Sequence, residues 1–251
     1  MLVATTAGTF EAILKEQPEF LSKYFEVAIA CSADPHFAQL KERSPFKVYY
    51  VPMMRGISPI YDFKSILAMS RVITKFKPDI VHSYTPKAGL VAMLSAFFCR
   101  VKVRIHTFTG LIFPTSIGVK KKILLSVDKL VSSLATCVVP ESEGVKKDLI
   151  SHDVCRTDIA VIGCGNIAGV DVDYFSPDSI SLLPERPGSS IDLTRRGSFV
   201  YCFVGRLNKD KGVSELVRAF TSLPFDAALV FVGGVDETSP PDPFTLAEIN
   251  S

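Results

Sequence analysis

The chain lacks three features that would place it in a special class. Its 28 basic side chains nearly balance its 26 acidic ones, and the net charge of +2 gives no electrostatic indication of a nucleic-acid partner. Its longest uncharged apolar stretch, residues 90–99, is about half of the ~20 residues that span a bilayer. No basic segment precedes the apolar start, which Thr5, Thr6 and Gly8 interrupt. We therefore predict neither a secretory signal nor an integral membrane segment.

The cysteines also lack informative spacing. They form no C-x-x-C pair and no metal-ligand pattern, which argues against a zinc site or a redox pair. Cys31, Cys137 and Cys202 fall in or beside predicted strands, where small buried thiols are common. We therefore predict reduced core cysteines in a cytoplasmic protein. The six positions are Cys31, Cys99, Cys137, Cys155, Cys164 and Cys202.

Apolar segments of strand type alternate with segments of helical period through the first 162 residues. This alternation predicts an α/β fold with a doubly wound parallel sheet, whose ligands collect beyond the carboxyl ends of the strands. Gly8, His82 and His106 lie at such ends. The predicted strands span residues 2–6, 25–31, 46–51, 79–82, 101–106, 136–139 and 158–162, and the predicted helices span residues 10–24, 60–76, 88–98, 117–135 and 141–151.

A second, shorter β-α-β pattern follows a segment without periodic hydrophobic residues. Residues 177–198 are rich in Ser, Pro and Gly, which is typical of a linker or surface loop. We predict an amino-terminal Rossmann-like domain over residues 1–176 and an incomplete second Rossmann-like βαβ unit over residues 199–251. Two parallel strands bury too little surface to be stable alone. The second unit should therefore pack against the first domain or another chain, or belong to a longer protein.

The turn after the strand at residues 199–204 has the chemistry of an anion site. The apolar run predicts a strand covered on both faces, and Gly205 follows it with the cations Arg206 and Lys211. A helix then begins after Gly212, so that free N–H groups and two positive charges could surround a diphosphate. The alternative is that both cations are solvated loop residues.

A second glycine motif suggests a different class of protein. Gly163, Gly165 and Ala168 satisfy the G-x-G-x-x-A fingerprint of dinucleotide-binding proteins, which would indicate an NAD-dependent oxidoreductase. That fingerprint requires a helix beginning within it and a carboxylate about 20 residues later. The residues that follow have little helical period and include Pro177. We therefore favour a turn here and keep the oxidoreductase as an alternative.

Four ordered motifs resemble the retaining glycosyltransferases of family 4, which have the GT-B fold. Gly169-Val170-Asp171, followed by Phe175-Ser176-Pro177, is similar to that family's crossover between domains, and Gly205-Arg206-Leu207 with Lys211-Gly212 is similar to the start of its donor domain. Two further matches lie in the first domain: His106-Thr107 with Gly110, and the segment T-P-K-A-G-L over residues 85–90. Pro140-Glu141-Ser142 resembles the helix start of the family. The resemblance covers residues 3–234.

The resemblance implies transfer of a sugar from a nucleotide-diphosphate sugar to a polyprenyl-diphosphate-linked or saccharide acceptor, with no metal and no cofactor. His106 would be the catalytic residue, contacting the donor sugar or the acceptor hydroxyl, although it could instead only cap a strand. Lys87 could bind the acceptor diphosphate or be solvated at a helix start. The donor diphosphate would be bound by Gly205, Arg206, Lys211 and Gly8, and the acceptor by His82, Lys87 and Thr107.

One segment suggests peripheral contact with an anionic membrane at the inner face of the plasma membrane. Lys120, Lys121 and Lys122 begin a helix with an apolar stripe, and residues 111–113 before it are apolar. Basic residues beside exposed apolar ones favour anionic lipid. The alternative is that the stripe covers the sheet. Its residues are Ile123, Val127, Leu130, Val131 and Leu134.

One departure from the family weakens the prediction of activity. The family's two donor-binding glutamates, separated by seven residues, have no counterpart before Ser251. The resemblance therefore implies that the donor domain is truncated. The alternative function is a non-catalytic fragment that binds only the acceptor or the membrane.

Overall fold

The computed structural model describes residues 1–54, 56, 58–155, 158–167, 169–180, 199–208 and 211–234. The chain divides into two compact units, Met1–Val172 and Asp173–Ser251. Most of the predicted linker, residues 181–198, and the tail from residue 235 lie outside the described residues, as does Ala168. At the start of the predicted linker, Pro177–Ile180 form a short helix.

The first unit contains a six-stranded parallel sheet with helices between its strands. The strand order is β3-β2-β1-β4-β5-β6, and all five pairs of neighbours are parallel. A sheet that winds outward in both directions from β1 and β4 is doubly wound. The elements are β1 (Leu2–Thr6), a π-helical turn (Phe10–Leu14), α1 (Gln17–Ser22), β2 (Ala28–Ser32), α2 (Phe37–Arg43), β3 (Lys47–Tyr50), α3 (Pro59–Phe76), β4 (Ile80–Ser83), α4 (Pro86–Phe98), β5 (Val103–Phe108), α5 (Gly118–Leu134), β6 (Cys137–Pro140) and α6 (Glu143–Ser151). The short helix α7 (Pro177–Ile180) follows in the second unit.

The two faces of this sheet contribute to separate hydrophobic clusters. Successive side chains of a strand point to opposite faces, so Val3 packs with α3, α4 and α5 through residues such as Met69 and Val91. Leu2 points the other way and packs with Phe10 and Leu14 of the π-helical turn. Helices on both faces confirm the predicted doubly wound α/β fold.

Two predicted elements were wrong, and one helix was not predicted. The helix over residues 10–24 is divided by Lys15, whose φ is 41°, because Pro18 cannot donate to the carbonyl of Leu14 and would clash with it. Residues 158–162 form no strand, and Ile162 closes a turn by accepting from the N–H of Gly165. The helix α2 was missed because it buries no residue, so its sequence has no apolar stripe.

The second unit contains β7 (Phe199–Val204), α8 (Val213–Thr221) and β8 (Ala227–Val232). The two strands are parallel and pair in register over six residues. The prediction that β7 is covered on both faces was wrong, since Phe199 is 65% and Val204 is 74% exposed. A sheet of only two strands buries too little surface to cover both faces of either strand.

The prediction of buried core cysteines holds for Cys31 but not for Cys137 and Cys202. Cys31 is buried in β2, whereas Cys137 and Cys202 are exposed. Cys137 begins β6, at the edge of the large sheet, and Cys202 lies in the two-stranded sheet. All six cysteines are free thiols. None of the helices in the described part of the chain is long and apolar enough to span a membrane.

Candidate active site

Hydroxyl groups link the carboxyl ends of the central strands. The Thr5 N–H donates to the Thr85 Oγ1 at 3.0 Å, and the two hydroxyl oxygens are 2.5 Å apart. Beyond β5, the Thr109 Oγ1 donates to the Tyr84 carbonyl at 2.9 Å. These bonds connect the ends of β1, β4 and β5, where a doubly wound sheet places its ligands.

Gly8 follows β1 at this edge, as predicted, but its N–H group already has an anionic partner. It donates to Asp34 Oδ2 at 3.0 Å, and Asp34 Oδ1 accepts from the N–H of His36 at 3.0 Å. The Nδ1 of His36 in turn lies 2.7 Å from Glu11 Oε2. A diphosphate at Gly8 would have to displace the Asp34 carboxylate, and the donor-binding role of Gly8 stays a prediction.

His106 lies in β5, but its ring is buried and 1% exposed. Its Nδ1 is 2.8 Å from the Ser83 Oγ, and Phe108 packs against it edge to face. A Cβ on Gly89 would lie 2.5 Å from His106 Cε1, so Gly89 of α4 makes room for the ring. Burial, followed by the charge of His82, lowers the pKa of His106 to about 3. The ring is neutral and internal here, and its catalytic role stays a prediction.

His82 and Thr107, the predicted acceptor ligands, are bonded to each other. His82 Nε2 is 2.7 Å from Thr107 Oγ1, and its Nδ1 is 3.0 Å from the hydroxyl of Tyr84. Tyr84 also stacks on the imidazole, with ring centroids 4.1 Å apart. Burial, followed by the positive amino terminus, lowers the pKa of His82 to about 4. Both imidazole nitrogens therefore have protein partners, and the acceptor-binding role of this pair stays a prediction.

Lys87, the third predicted acceptor ligand, forms a nearly buried ion pair. Its Nζ lies 2.5 Å from Asp62 Oδ1, and the two side chains are 11% and 12% exposed. The pair joins the amino-terminal ends of α4 and α3. The alternative that Lys87 is simply solvated was therefore wrong, and contact with an acceptor diphosphate stays a prediction.

In the second unit, the turn after β7 has the predicted form. The Gly205 N–H donates to the Val232 carbonyl at 3.0 Å, and a Cβ on Gly233 would overlap the Gly205 carbonyl oxygen. Arg206 and Lys211 are both exposed. Gly212 has a φ of 70° and precedes α8. The cations therefore lie between a strand end and a helix start, and their role in binding a donor diphosphate stays a prediction.

The second glycine motif forms a turn instead of a dinucleotide site. Gly163, Gly165 and Asn166 have φ values of 59°, 87° and 71°, and no helix begins in the described residues 163–167. A Cβ on Gly165 would lie 2.7 Å from the carbonyl oxygen of Glu141, so this glycine is needed for close packing of two loops. The helix that the oxidoreductase alternative requires is missing from these residues.

Three carboxylates at this edge, those of Asp34, Asp62 and Glu141, were assigned no role from the sequence. Asp34 precedes a proline after β2, and this turn signal could have drawn attention to it. Asp62 lies in the first turn of α3, where an acidic residue is common and carries no special signal. Glu141 follows β6 directly, which is the position where ligands bind in such sheets. In the described part of the chain, no cluster of three metal-binding side chains is present.

A groove of about 1310 Å³ follows β6, the edge strand of the sheet, away from these side chains. Its lining includes Ser132, Cys137 and Ile159. The Cys155 Sγ is 3.0 Å from the Ser132 Oγ. Asp128, one turn earlier in α5, is buried, and burial raises its pKa to about 6. The groove holds none of the predicted site residues.

Comparison with known proteins identifies the family. The family profile described as a glycosyl transferase 4-like domain matches residues 22–165. The capsular polysaccharide biosynthesis glycosyltransferase CapM of Staphylococcus aureus is 32% identical over 228 residues, which cover 89% of this chain and 58% of CapM. The UDP-Gal:alpha-D-GlcNAc-diphosphoundecaprenol alpha-1,3-galactosyltransferase of Escherichia coli is 23% identical over 238 residues, covering 92% of this chain and 60% of that protein.

Solved structures give the same fold. Anabaena HepE in complex with UDP superposes with a TM-score of 0.68 at 19% identity, over 94% of this chain and 61% of HepE. Sucrose-phosphate synthase from Thermosynechococcus elongatus gives a TM-score of 0.66 at 18% identity, over 95% of this chain and 63% of that structure. The GT-B-like fold prediction is confirmed, and the chain spans about three fifths of the length of these proteins. The chain belongs to the family of glycosyl transferase 4-like domains.

Proposed function

We propose that this protein transfers a sugar from a nucleotide-diphosphate sugar to a lipid-linked or saccharide acceptor in the biosynthesis of a surface polysaccharide. The proposal rests on how far along the chain the sequence similarity to CapM extends. That likeness covers 228 residues, whereas the first unit contains only residues 1–172, so the likeness extends into the second unit.

The second unit would bind the donor through Arg206 and Lys211. A glycosyl transfer with retention passes through an oxocarbenium-like transition state, in which negative charge develops on the departing diphosphate. Two exposed cations between a strand end and a helix start could stabilise that charge. Support for a uridine nucleotide comes from HepE, which was solved with UDP, and from the named donor of the Escherichia coli relative.

The first unit would bind the acceptor beyond the carboxyl ends of its strands. The name of the Escherichia coli relative includes a sugar joined to diphosphoundecaprenol, which supports a polyprenyl-diphosphate-linked acceptor. Lys87 could reach the acceptor diphosphate only by leaving Asp62, its partner at 2.5 Å. His82 and Thr107 are already bonded to each other, so an acceptor hydroxyl would have to join or replace that bond.

Peripheral contact with the inner face of the plasma membrane is part of this proposal. Ile117 is 87% and Val119 is 73% exposed, whereas Val131, near the other end of α5, is buried. Of the predicted stripe, Val127, Val131 and Leu134 pack in or against the core, whereas Ile123 and Leu130 are each 40% exposed. At the amino-terminal end of α5, exposed apolar side chains flank Lys120, Lys121 and Lys122, and each cation near an anionic surface adds about 1 kcal/mol.

Calorimetric titration of the 251-residue chain with UDP and GDP tests the donor site. We expect binding by the wild type and loss of binding in the Arg206→Ala/Lys211→Ala variant, since each charged hydrogen bond contributes about 1.5 to 3 kcal/mol. Arg218→Ala removes another exposed cation of the same unit and should leave binding unchanged. A folded wild type that binds neither nucleotide would contradict the proposal.

A second assay follows a labelled sugar from UDP-sugars to a polyprenyl-diphosphate-linked acceptor. Transfer that Arg206→Ala abolishes would support the enzyme, and nuclear magnetic resonance of the product would report retention. Nucleotide binding without transfer would instead support the alternative of a non-catalytic binding fragment. Sedimentation with phosphatidylglycerol vesicles, compared between wild type and a Lys120→Glu/Lys122→Glu variant, tests membrane contact, and equal binding by both would reject it.

A further inference from the structure

Glu141 follows β6 at the carboxyl edge of the large sheet, and its backbone is fixed on both sides. Its N–H donates to the Phe108 carbonyl at 3.2 Å, and its carbonyl accepts from the Asn166 N–H at 2.6 Å. Ser142, the next residue, caps α6 by accepting from the Val145 N–H at 3.2 Å. The side chain of Glu141 is therefore projected from a rigid position between β5 and α6.

The loop that holds the Glu141 carbonyl depends on glycine. Gly163, Gly165, Asn166 and Gly169 all have φ values between 59° and 87°, which is the left-handed region that side chains with a Cβ avoid. Gly165 packs so closely that an added Cβ would lie 2.7 Å from the Glu141 carbonyl oxygen. Glycine at position 165 therefore permits the close contact of the two loops that fixes the backbone of Glu141.

The carboxylate of Glu141 has no hydrogen bond or ion pair to any residue that the structure describes. The other carboxylates at this edge are already engaged: Asp34 by Gly8 and His36, Asp62 by Lys87, and Glu11 by His36. Partial burial raises the pKa of the Glu141 carboxyl. A partly desolvated carboxylate without an internal partner gains free energy from any external hydrogen-bond donor.

We propose that the Glu141 carboxylate accepts a hydrogen bond from a hydroxyl group of the acceptor sugar. A carboxylate repels a diphosphate, so its ligand at this position is an uncharged polar group, and a sugar presents several such hydroxyls. Glu141 thereby selects the saccharide part of the acceptor, separately from any residue that binds its phosphates. This inference rests on the proposed function and adds a residue that contacts the substrate.

The test is a titration of the isotope-labelled 251-residue chain with methyl glucoside, methyl galactoside and methyl N-acetylglucosaminide, followed through the amide resonances of Gly110 and Ser142. Glu141→Ala should weaken the tightest glycoside about tenfold, and Glu141→Gln, which keeps a neutral acceptor oxygen, about threefold. Glu143→Ala, two residues away on an exposed position, is the matched control and should change affinity less than twofold. Thermal midpoints within a few degrees of wild type show that the variants are folded.

A pH series separates ligand contact from a structural role. The carboxylate accepts best when ionised, so glycoside affinity of the wild type should fall as pH drops through the raised pKa of Glu141. Glu141→Gln should show no such fall. Wild-type affinity in Glu141→Ala, or a wild type that binds none of the glycosides, overturns the inference. UDP binding, measured in the same samples, tests the donor site separately. If UDP binds with unchanged affinity and Glu141→Ala leaves glycoside binding intact, only the role of Glu141 is contradicted.

Discussion

Replacing Gly89 by alanine would test how the buried imidazole is held inside the first unit. The new methyl group would lie 2.5 Å from His106 Cε1 and 3.0 Å from its Nδ1, well inside van der Waals contact. The ring has little freedom to move, since Ser83 bonds its Nδ1 at 2.8 Å and Phe108 packs against it. Either α4 must shift away from β5 or the ring must leave Ser83.

The expected cost combines three contributions. Alanine is favoured over glycine in a helix by about 1 kcal/mol, which acts in favour of the variant. Overpacking of a buried site costs about 1 to 3 kcal/mol, and a buried hydroxyl that loses its partner costs about 1 to 3 kcal/mol. Central values of about 2 kcal/mol for each cost give a net destabilisation of about 3 kcal/mol for Gly89→Ala.

Urea unfolding of four proteins measures this effect: wild type, Gly89→Ala, His106→Ala and the double variant. His106→Ala should itself destabilise the protein, because it creates a cavity and leaves Ser83 without its partner. In that background the Gly89→Ala methyl group enters the vacated space. The second substitution should therefore be neutral or stabilising, and the double-mutant cycle should give a coupling of 2 kcal/mol or more, on the order of other contacting pairs.

Gly144→Ala provides the matched control. Gly144 lies in α6, and a Cβ there would meet only the Ser142 Oγ at 3.8 Å. This variant should gain up to about 1 kcal/mol from helix propensity. If Gly89→Ala were as stable as Gly144→Ala, or if the cycle showed no coupling, the close packing of α4 on the imidazole would be refuted.

Three further predictions concern buried charges. Lys87→Met should cost about 3 kcal/mol in urea unfolding, because Asp62 remains buried without its partner, and adding Asp62→Asn should restore most of the loss; equal stability of the single and double variants would contradict this pairing. Asp128→Asn should raise the unfolding free energy at pH 8 by at most ~3 kcal/mol, because the pKa of Asp128 is about 6 in the folded protein and ordinarily 3.8, so that ionisation above pH 6 disfavours the folded form. The gain in unfolding free energy should vanish below about pH 4, where the carboxyl is protonated in both states. A gain of equal size at pH 8 and pH 4 would point to another cause. The pKa of His106 is about 3 in the folded protein against an ordinary 6.5, so the unfolded chain takes up a proton at a higher pH than the folded protein does. Stability should therefore fall as the pH drops below 6.5, by about 2 kcal/mol at pH 5 from this residue alone. His106→Gln should flatten the dependence of unfolding free energy on pH between pH 7 and pH 5.

The sequence predicted the long elements well because their hydrophobic period is strong. The predicted helix at residues 60–76 corresponds to Pro59–Phe76, and that at 117–135 to Gly118–Leu134. The hydrophobic period gave the wrong element in two places, for two different reasons. Pro18 interrupts an otherwise helical pattern after β1, and the apolar residues 158–162 resemble a strand without pairing as one.

The sequence predicted where the residues of the candidate site lie, but it did not predict which residues bond to them. Strand ends identified Gly8, His82 and His106, since a parallel sheet places these ends together. Their partners are distant in sequence: Asp34 bonds Gly8 across 26 positions, and Asp62 bonds Lys87 across 25. Local patterns contain no information about such contacts. The sequence could therefore locate the edge but could not show that most of its polar groups already bind each other.

Because the cysteines differ in exposure, fluorophores can be attached selectively to the exposed thiols of the natural chain. Burial, with the nearby charge of Asp34, raises the pKa of the Cys31 thiol to about 12, so a maleimide dye will leave it unmodified. Cys137 and Cys164 in the first unit and Cys202 in the second are exposed. With the partly exposed Cys99 and Cys155 and the exposed Cys164 replaced by serine, a donor and an acceptor fluorophore on Cys137 and Cys202 would report by energy transfer whether added UDP changes the separation of the two units.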